Sequence, residues 1–220
     1  MKVPATAPAL RRVTGRRLVA EGVHLLAIAG GGPFQAGQNV NLALAPSGPA
    51  RSYSVASGTA DPVLEVLFDV VPGGQLTPRL ATMRAGDPLY VGPAFGGFLD
   101  DGRPATWIAA GTGVAPFASM VRSGLGADKI LVHASRTPEG FYFRELFAAR
   151  LGPRYIPCRP RPALAAGTGP GGLLGWLRDS ELPPDRRYLL CGSARMVVEV
   201  REALIAHGVP FAHILAEIYF

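Results

Sequence analysis

The sequence predicts a β plus α/β protein, an N-terminal antiparallel β-barrel over residues 1–101 followed by a C-terminal parallel α/β domain over residues 102–220. Three observations predict it. Short strand-length segments separated by Gly/Pro turns fill the first hundred residues, the pattern of a small barrel. Beyond Asp100-Asp101-Gly102-Arg103-Pro104, apolar runs alternate with helix-compatible stretches, as in a parallel sheet covered by helices. At the head of that second part, the run 105–110 feeds directly into Gly111-Thr112-Gly113 and then a helix.

In order, the barrel strands are expected at 18–29, 39–45, 51–56, 63–71 and 88–91, with turns such as Gly30-Gly31-Gly32-Pro33, Pro72-Gly73-Gly74 and Gly86-Asp87-Pro88 between them. Thr77-Pro78 opens one helix among them, with Thr77 as its cap and Pro78 in its first turn. The second domain places strands at 106–110, 129–134, 155–158, 188–191 and 214–218, and helices at 115–123, 141–151, 173–179 and 194–207. Residues 160–172, rich in Pro and Gly, read as a surface loop. Ligands on such sheets bind beyond the carboxyl ends of the strands, where Gly111, Ser135, Arg159 and Gly192 fall.

Composition narrows the function classes. With 48% hydrophobic and 17% charged residues the chain is a packed globular protein. No apolar run approaches the roughly 20 residues of a membrane span, and the N-terminus has no signal-peptide core, so a cytoplasmic protein is expected. Two cysteines, Cys158 and Cys191, cannot hold an iron–sulfur cluster, and His24, His133, His207 and His213 show no metal-ligand spacing. No metal is expected, and redox chemistry would need an organic cofactor. The net charge of +6 favours acidic partners, but the basic residues form no block interleaved with aromatics, which argues against nucleic acid.

The glycine turn could bring backbone close to a pyrophosphate at a helix N-terminus. Pro116 stands where the dinucleotide fingerprint has its third glycine, however, and an ordinary strand-to-helix turn reads the same way. Arg51-Ser52-Tyr53-Ser54 puts a guanidinium and a phenol on one strand face, suited to a phosphate and a flat heterocycle, and Ser54 on the other. Alone it is also a plain strand with a surface arginine. Gly73 to Pro78 could supply backbone donors to a second phosphate, or be a capped turn. Cys191-Gly192 ends a strand, Met196 follows on a helix, and Glu217-Ile218-Tyr219-Phe220 closes the chain.

Taken together in this order, R-x-Y-S, G-x-L-T-P-R-L (Gly74 to Leu80), G-D, G-T-G-x-A-P-F, H-A-S-R (His133 to Arg136), C-G-x-x-x-M and a terminal A-E-x-Y-F resemble the ferredoxin–NADP⁺ reductase family, in its bacterial ferredoxin/flavodoxin form. The resemblance implies an FAD-binding barrel, a Rossmann-like NADP(H)-binding domain, and electron exchange with an acidic ferredoxin or flavodoxin, the enzyme acting as a monomer. On the FAD side it implies Arg51, Ser52, Tyr53 and Ser54; Phe68, Asp69 and Val70; Gln75, Leu76 and Thr77; Ala110, where relatives carry threonine; and the rings of Tyr219 and Phe220. On the NADP side it implies Gly111, Thr112, Gly113, Ser135, Arg136, Cys158, Arg159, Cys191, Gly192 and Met196, with Arg136 and Arg159 gripping the 2′-phosphate, so NADPH is favoured over NADH. Ser54, Cys191 and Glu217 would form the polar cluster that aligns nicotinamide over flavin. Two alternatives share this core: the reductase component of an oxygenase or a free flavin or ferric reductase, and a non-enzymatic flavin- or nucleotide-sensing module.

Overall fold

A computed structural model of the chain describes residues 7–30, 32–159 and 172–219. Phe220 and residues 160–171 of the expected surface loop lie outside them. The chain divides into two compact units, Met1–Leu99 with Ala115–Ser123, and Asp100–Val114 with Gly124–Phe220.

The described residues of the first unit form an antiparallel sheet of β1 (Ala9–Ala20), β2 (Val23–Ala29), β3 (Asn39–Ala43), β4 (Arg51–Ser54), β5 (Val63–Asp69) and β6 (Pro88–Val91), ordered β4-β3-β6-β1-β2-β5. The sheet curls until its edges meet. Val55 bridges Val66, and the Ala56 N–H donates to the Glu65 carbonyl at 2.7 Å, which makes the unit barrel-like. Alternate residues point inward: Leu26 and Ile28, Val40 and Leu42, Leu64, Val66 and Phe68, Leu89 and Val91 form one core with Val13. The short helix α1 (Thr77–Leu80) adds Leu80, with Leu76 and Met83 beside it.

Two expectations need correction here. The single strand at 18–29 is instead the second half of a hairpin that turns at Gly22, φ 71°, and pairs Ala20 with Val23. The long β1 escapes pattern reading because it is mostly exposed, carries four arginines and has two register shifts flanking its middle. Nor does Thr77 cap α1. The cap position is Leu76, and the Thr77 hydroxyl accepts from the Val71 N–H at 2.9 Å, closing the preceding loop instead.

Helix α2 (Ala115–Arg122) packs within this first unit. Ser119 Oγ donates to the Ser57 carbonyl at 2.6 Å, and Arg122 pairs with Asp61 at 2.7 Å and with Glu65. Gly58 is glycine for the same reason, since a Cβ there would stand 2.9 Å from the Arg122 Cβ.

In the second unit, β7 (Ala105–Ala110), β8 (Lys129–Ala134), β9 (Tyr155–Cys158), β10 (Arg187–Ser193) and β11 (Ile214–Tyr219) form a parallel sheet ordered β11-β10-β7-β8-β9 among the described residues. Helices α3 (Arg144–Leu151), α4 (Leu173–Asp179) and α5 (Ala194–Ala206) follow β8, β9 and β10. The central strands β7 and β10 are buried almost throughout, as continuous apolar runs demand. Ile108, Val132, Leu190, Val197 and Val200 lie at the heart of the core between sheet and helices. No helix of the described residues is long and apolar enough to cross a membrane.

Candidate functional site

In the first unit, β4 presents Arg51 and Ser52 to solvent, half-buries Tyr53 and buries Ser54. Among the described residues Arg51 Nη1 donates only locally, to the Ala50 carbonyl at 2.9 Å, which leaves most of its fork of donors available. Tyr53 rests on the barrel core, its ring edge-on to Phe68 at 6.2 Å. Burial pushes its phenol up to about 12 against the opposing pull of Arg51, so the ring stays neutral. Ser54 Oγ donates to Asn39 Oδ1 at 2.7 Å across the strand register. Asn39 was not expected from the sequence; an asparagine opening an apolar strand carries no signal until its partner across the sheet is known.

Phe68 is buried and stacks on His24 at 5.6 Å, Asp69 is exposed, and Val70 is half-buried with its N–H bonded to the Gly22 carbonyl. Phe68 therefore supports Tyr53 from the core side. Gln75 is exposed, while the Leu76 side chain enters the core. The tight Val71–Gly74 turn fixes this loop: the Gly74 N–H donates to the Val71 carbonyl at 2.9 Å, and a Cβ on Gly74 would sit 2.9 Å from that same oxygen.

In the second unit, the carboxyl ends of β7, β10 and β11 converge. β7 ends at the half-buried Ala110, and a turn of 3-10 helix (Gly111–Val114) carries the chain away. The two expected glycines have different tasks. Gly111 has φ 58° with open space around it, a backbone conformation that suits glycine. Gly113 is pressed onto β10: a Cβ there would lie 2.4 Å from the Cys191 carbonyl oxygen and 2.7 Å from Gly192 Cα. Its missing side chain serves packing of the loop against the strand. Thr112 between them is half-exposed. Gly192 in turn adopts φ 153°, and a Cβ would meet Met196 Cε at 2.6 Å.

Cys191 is opposite Glu217, and Ser193 opposite Tyr219, across the β10–β11 register. Cys191 is fully buried. Burial, then the neighbouring Glu217 carboxylate, holds its thiol well above the usual range, while a hydrogen bond from Tyr219 pulls the other way. The group is thus a neutral thiol between a carboxylate and a phenol, a polar cluster without a nucleophile. Ser54 belongs to the first unit, where Asn39 is its partner.

At the ends of β8 and β9, the Ser135 N–H donates to the Cys158 carbonyl at 3.0 Å, and Ser135 Oγ donates to the Thr137 carbonyl at 2.7 Å. Cys158 is buried and its thiol is raised to about 11 by burial. Next to it lies a pocket of about 250 Å³ lined by Pro138, Phe141, Arg144, Pro157 and Arg159. Arg159 is where the sequence expected it, but Arg136 is exposed and does not line this pocket. Arg144, unanticipated, does. It lies in no motif, and its only sequence signal is its place at the start of the helix that follows β8.

His133, one residue before the end of β8, is sealed in a box of Phe141, Phe147 and Tyr155. Its Nδ1 is 3.2 Å from the Tyr155 hydroxyl, its Nε2 is buried without a hydrogen-bond partner, and burial lowers its pKa to about 4. It is a neutral packing residue. Among the described residues no cluster of His, Cys, Asp or Glu could hold a metal ion.

No protein-family model matches the chain. The flavodoxin/ferredoxin–NADP reductase of Escherichia coli is 31% identical over 189 residues, 75% of this chain and 76% of that protein. The aromatic O-demethylase reductase subunit of an Amycolatopsis species is 31% identical over 186 residues, 74% of this chain and 54% of that subunit. Among solved structures, a Neisseria gonorrhoeae ferredoxin NADP⁺ reductase with bound FAD and NADP superposes with a TM-score of 0.84 at 21% identity, covering 98% of this chain and all of that one. With the antiparallel and parallel sheets also those of its structural relatives, the chain belongs to the flavodoxin/ferredoxin–NADP reductase family.

Proposed function

We propose that this chain is an FAD-dependent ferredoxin (flavodoxin)–NADP⁺ reductase, a cytoplasmic monomer working with an acidic ferredoxin or flavodoxin. Family membership gives the activity. The observation that carries it to named residues is the Cys191–Glu217–Tyr219 cluster, a polar group at the carboxyl end of an otherwise apolar sheet beside the Gly111 turn.

The residues present fit both nucleotides. Arg51, with a single local bond among the described residues, would hold the FAD pyrophosphate together with the backbone of Gln75, Leu76 and Thr77; Tyr53, flat-sided and neutral, would carry the isoalloxazine. Gly111, Thr112 and Gly192 would lie along the NADP(H) backbone, and Arg159 would take its 2′-phosphate. Bound FAD would supply the hydride and single-electron chemistry that links NADP(H) to the protein partner. The protein would contribute alignment: Ser54, fixed by Asn39, would orient the flavin, and Cys191 and Glu217, fixed by strand register, would orient the nicotinamide, with no proton transfer of their own.

The net charge of +6 suits an acidic partner that arrives by electrostatic steering. The test is NADPH-driven reduction of a ferredoxin and of a flavodoxin by the FAD-loaded protein across a salt series. Turnover that falls steeply with ionic strength is expected. A rate independent of salt would mean a neutral or small-molecule acceptor.

A second reading is favoured by the Amycolatopsis relative: the reductase component of an oxygenase. It predicts that reduction of an oxygenase-linked iron–sulfur protein outpaces that of a flavodoxin in the same assay.

A further inference from the structure

The pocket at the ends of β8 and β9 carries two cations, Arg159, one of the two arginines the sequence assigned to the 2′-phosphate, and Arg144, which the sequence did not assign. Arg144 and Arg159 are exposed, and among the described residues no carboxylate forms an ion pair with either. Elsewhere in the unit Arg103, Arg178, Arg187 and Arg195 each hold a carboxylate. The remaining walls are Pro138, Phe141 and Pro157, apolar surfaces without a charge of their own. Two planar guanidinium forks over apolar walls suit a compact dianion attached to a flat ring system, because each fork can take two phosphate oxygens while the ring lies on the apolar wall. A neutral ribose hydroxyl would leave both cations uncompensated. The pocket also lies at the carboxyl edge of the parallel sheet, the side on which such sheets take ligands.

We propose that Arg144, on the first turn of α3, is a specificity residue for NADP(H), gripping the 2′-phosphate jointly with Arg159. The inference rests on the reductase reading above and adds to it a residue outside the motifs that define the resemblance. Phe143, at φ 57° immediately before α3, turns the chain so that the helix begins at Arg144.

The test uses FAD-loaded protein, wild type and Arg144→Gln. Calorimetric titration with adenosine 2′,5′-bisphosphate and with 5′-AMP isolates the 2′-phosphate, and kcat/KM for NADPH and NADH reads the same discrimination in turnover. Loss of one charge-assisted phosphate contact is expected to weaken the bisphosphate by about 10- to 100-fold and to lower the NADPH-to-NADH ratio of kcat/KM by a similar factor. Arg144→Lys should recover part of both, as a point charge without the fork. Since Arg144 is exposed, the variants keep the wild-type Tm. Bisphosphate affinity and the NADPH-to-NADH ratio both within about twofold of wild type, against the tenfold scale of such a contact, would overturn the proposal. A wild-type protein that binds bisphosphate no better than 5′-AMP and reduces its flavin with neither nucleotide would overturn the reductase reading as well, and that outcome is visible before any substitution.

Discussion

At the amino end of the parallel sheet, Lys129 Nζ lies 3.0 Å from Asp100 Oδ1 with both side chains 2% exposed, and Asp101 gathers Arg103 at 2.6 Å and Arg187 at 2.8 Å. At the carboxyl end, Arg144 and Arg159 line a pocket without such partners among the described residues, and Glu217 faces a buried thiol. The strands are the same; the charges at their two ends are used differently. At the amino end Lys129, Arg103 and Arg187 each pair with a carboxylate of residues 100–101, which ties that segment to the starts of β8 and β10. At the carboxyl end cations stay exposed and available. The difference separates residues that set stability from residues proposed to set binding, and the substitutions below attack it from either side.

The largest expected effect is at the amino end. Lys129→Ala strands the Asp100 carboxylate, whose Oδ2 already has no hydrogen-bond partner, in a buried setting and should destabilise the protein by about 3–5 kcal/mol in urea unfolding. Replacing both partners together, Asp100→Leu with Lys129→Met, should recover much of that, since two apolar groups leave no orphaned charge.

Next is a pH effect from His133. An unfolded imidazole takes its proton near 6.5, whereas the folded one resists protonation until about pH 4. Between those values the unfolded chain binds more protons, so the stability is fully present above about pH 6.5 and is lost as pH falls toward 4, by about 3 kcal/mol. His133→Phe should flatten this slope in pH-dependent urea unfolding. An unchanged slope would place the acid sensitivity elsewhere.

Smaller effects separate the two glycines. Gly113→Ala drives a methyl group into the Cys191 carbonyl and should cost about 1–3 kcal/mol, or more if β10 cannot shift. Gly111→Ala meets no atom and should cost about 1–2 kcal/mol, from its left-handed backbone alone. Comparing their Tm values, alongside NADPH kinetics, tells packing from backbone conformation.

Smallest in stability is Glu217→Gln, at the half-exposed end of β11, expected within about 0.5 kcal/mol of wild type. Its effect belongs to turnover. Loss of alignment at the reacting rings should lower kcat by about 10- to 100-fold in steady-state assays.

Much of this was legible in the sequence because it is local. The apolar runs of β7, β8, β9 and β10, the glycine turn at Gly111 and the Arg51–Ser54 strand all announce themselves within a few residues. What stayed hidden depends on partners distant along the chain. β1 has too few inward apolar residues to show a period, and only pairing with β2 and β6 makes it a strand. The need for glycine at 113 arises from Cys191, far along the chain, and the role of Ser54 from Asn39 on the neighbouring strand. Arg144 looks like any exposed helical arginine until the turn after β8 and the end of β9 are seen to enclose a pocket with it. Thr77 misled for the opposite reason: its local cap signature was right in type, but a better acceptor role closing the Val71 loop took the hydroxyl.

The most direct measurement is anaerobic mixing of the FAD-loaded protein with NADPH while flavin absorbance is followed in a stopped-flow instrument. The account predicts a yellow protein that bleaches rapidly with NADPH, more slowly with an equal concentration of NADH, and regains colour when oxidised ferredoxin or flavodoxin is added. A colourless protein that takes up no FAD, or a flavin that NADPH leaves oxidised, would contradict it.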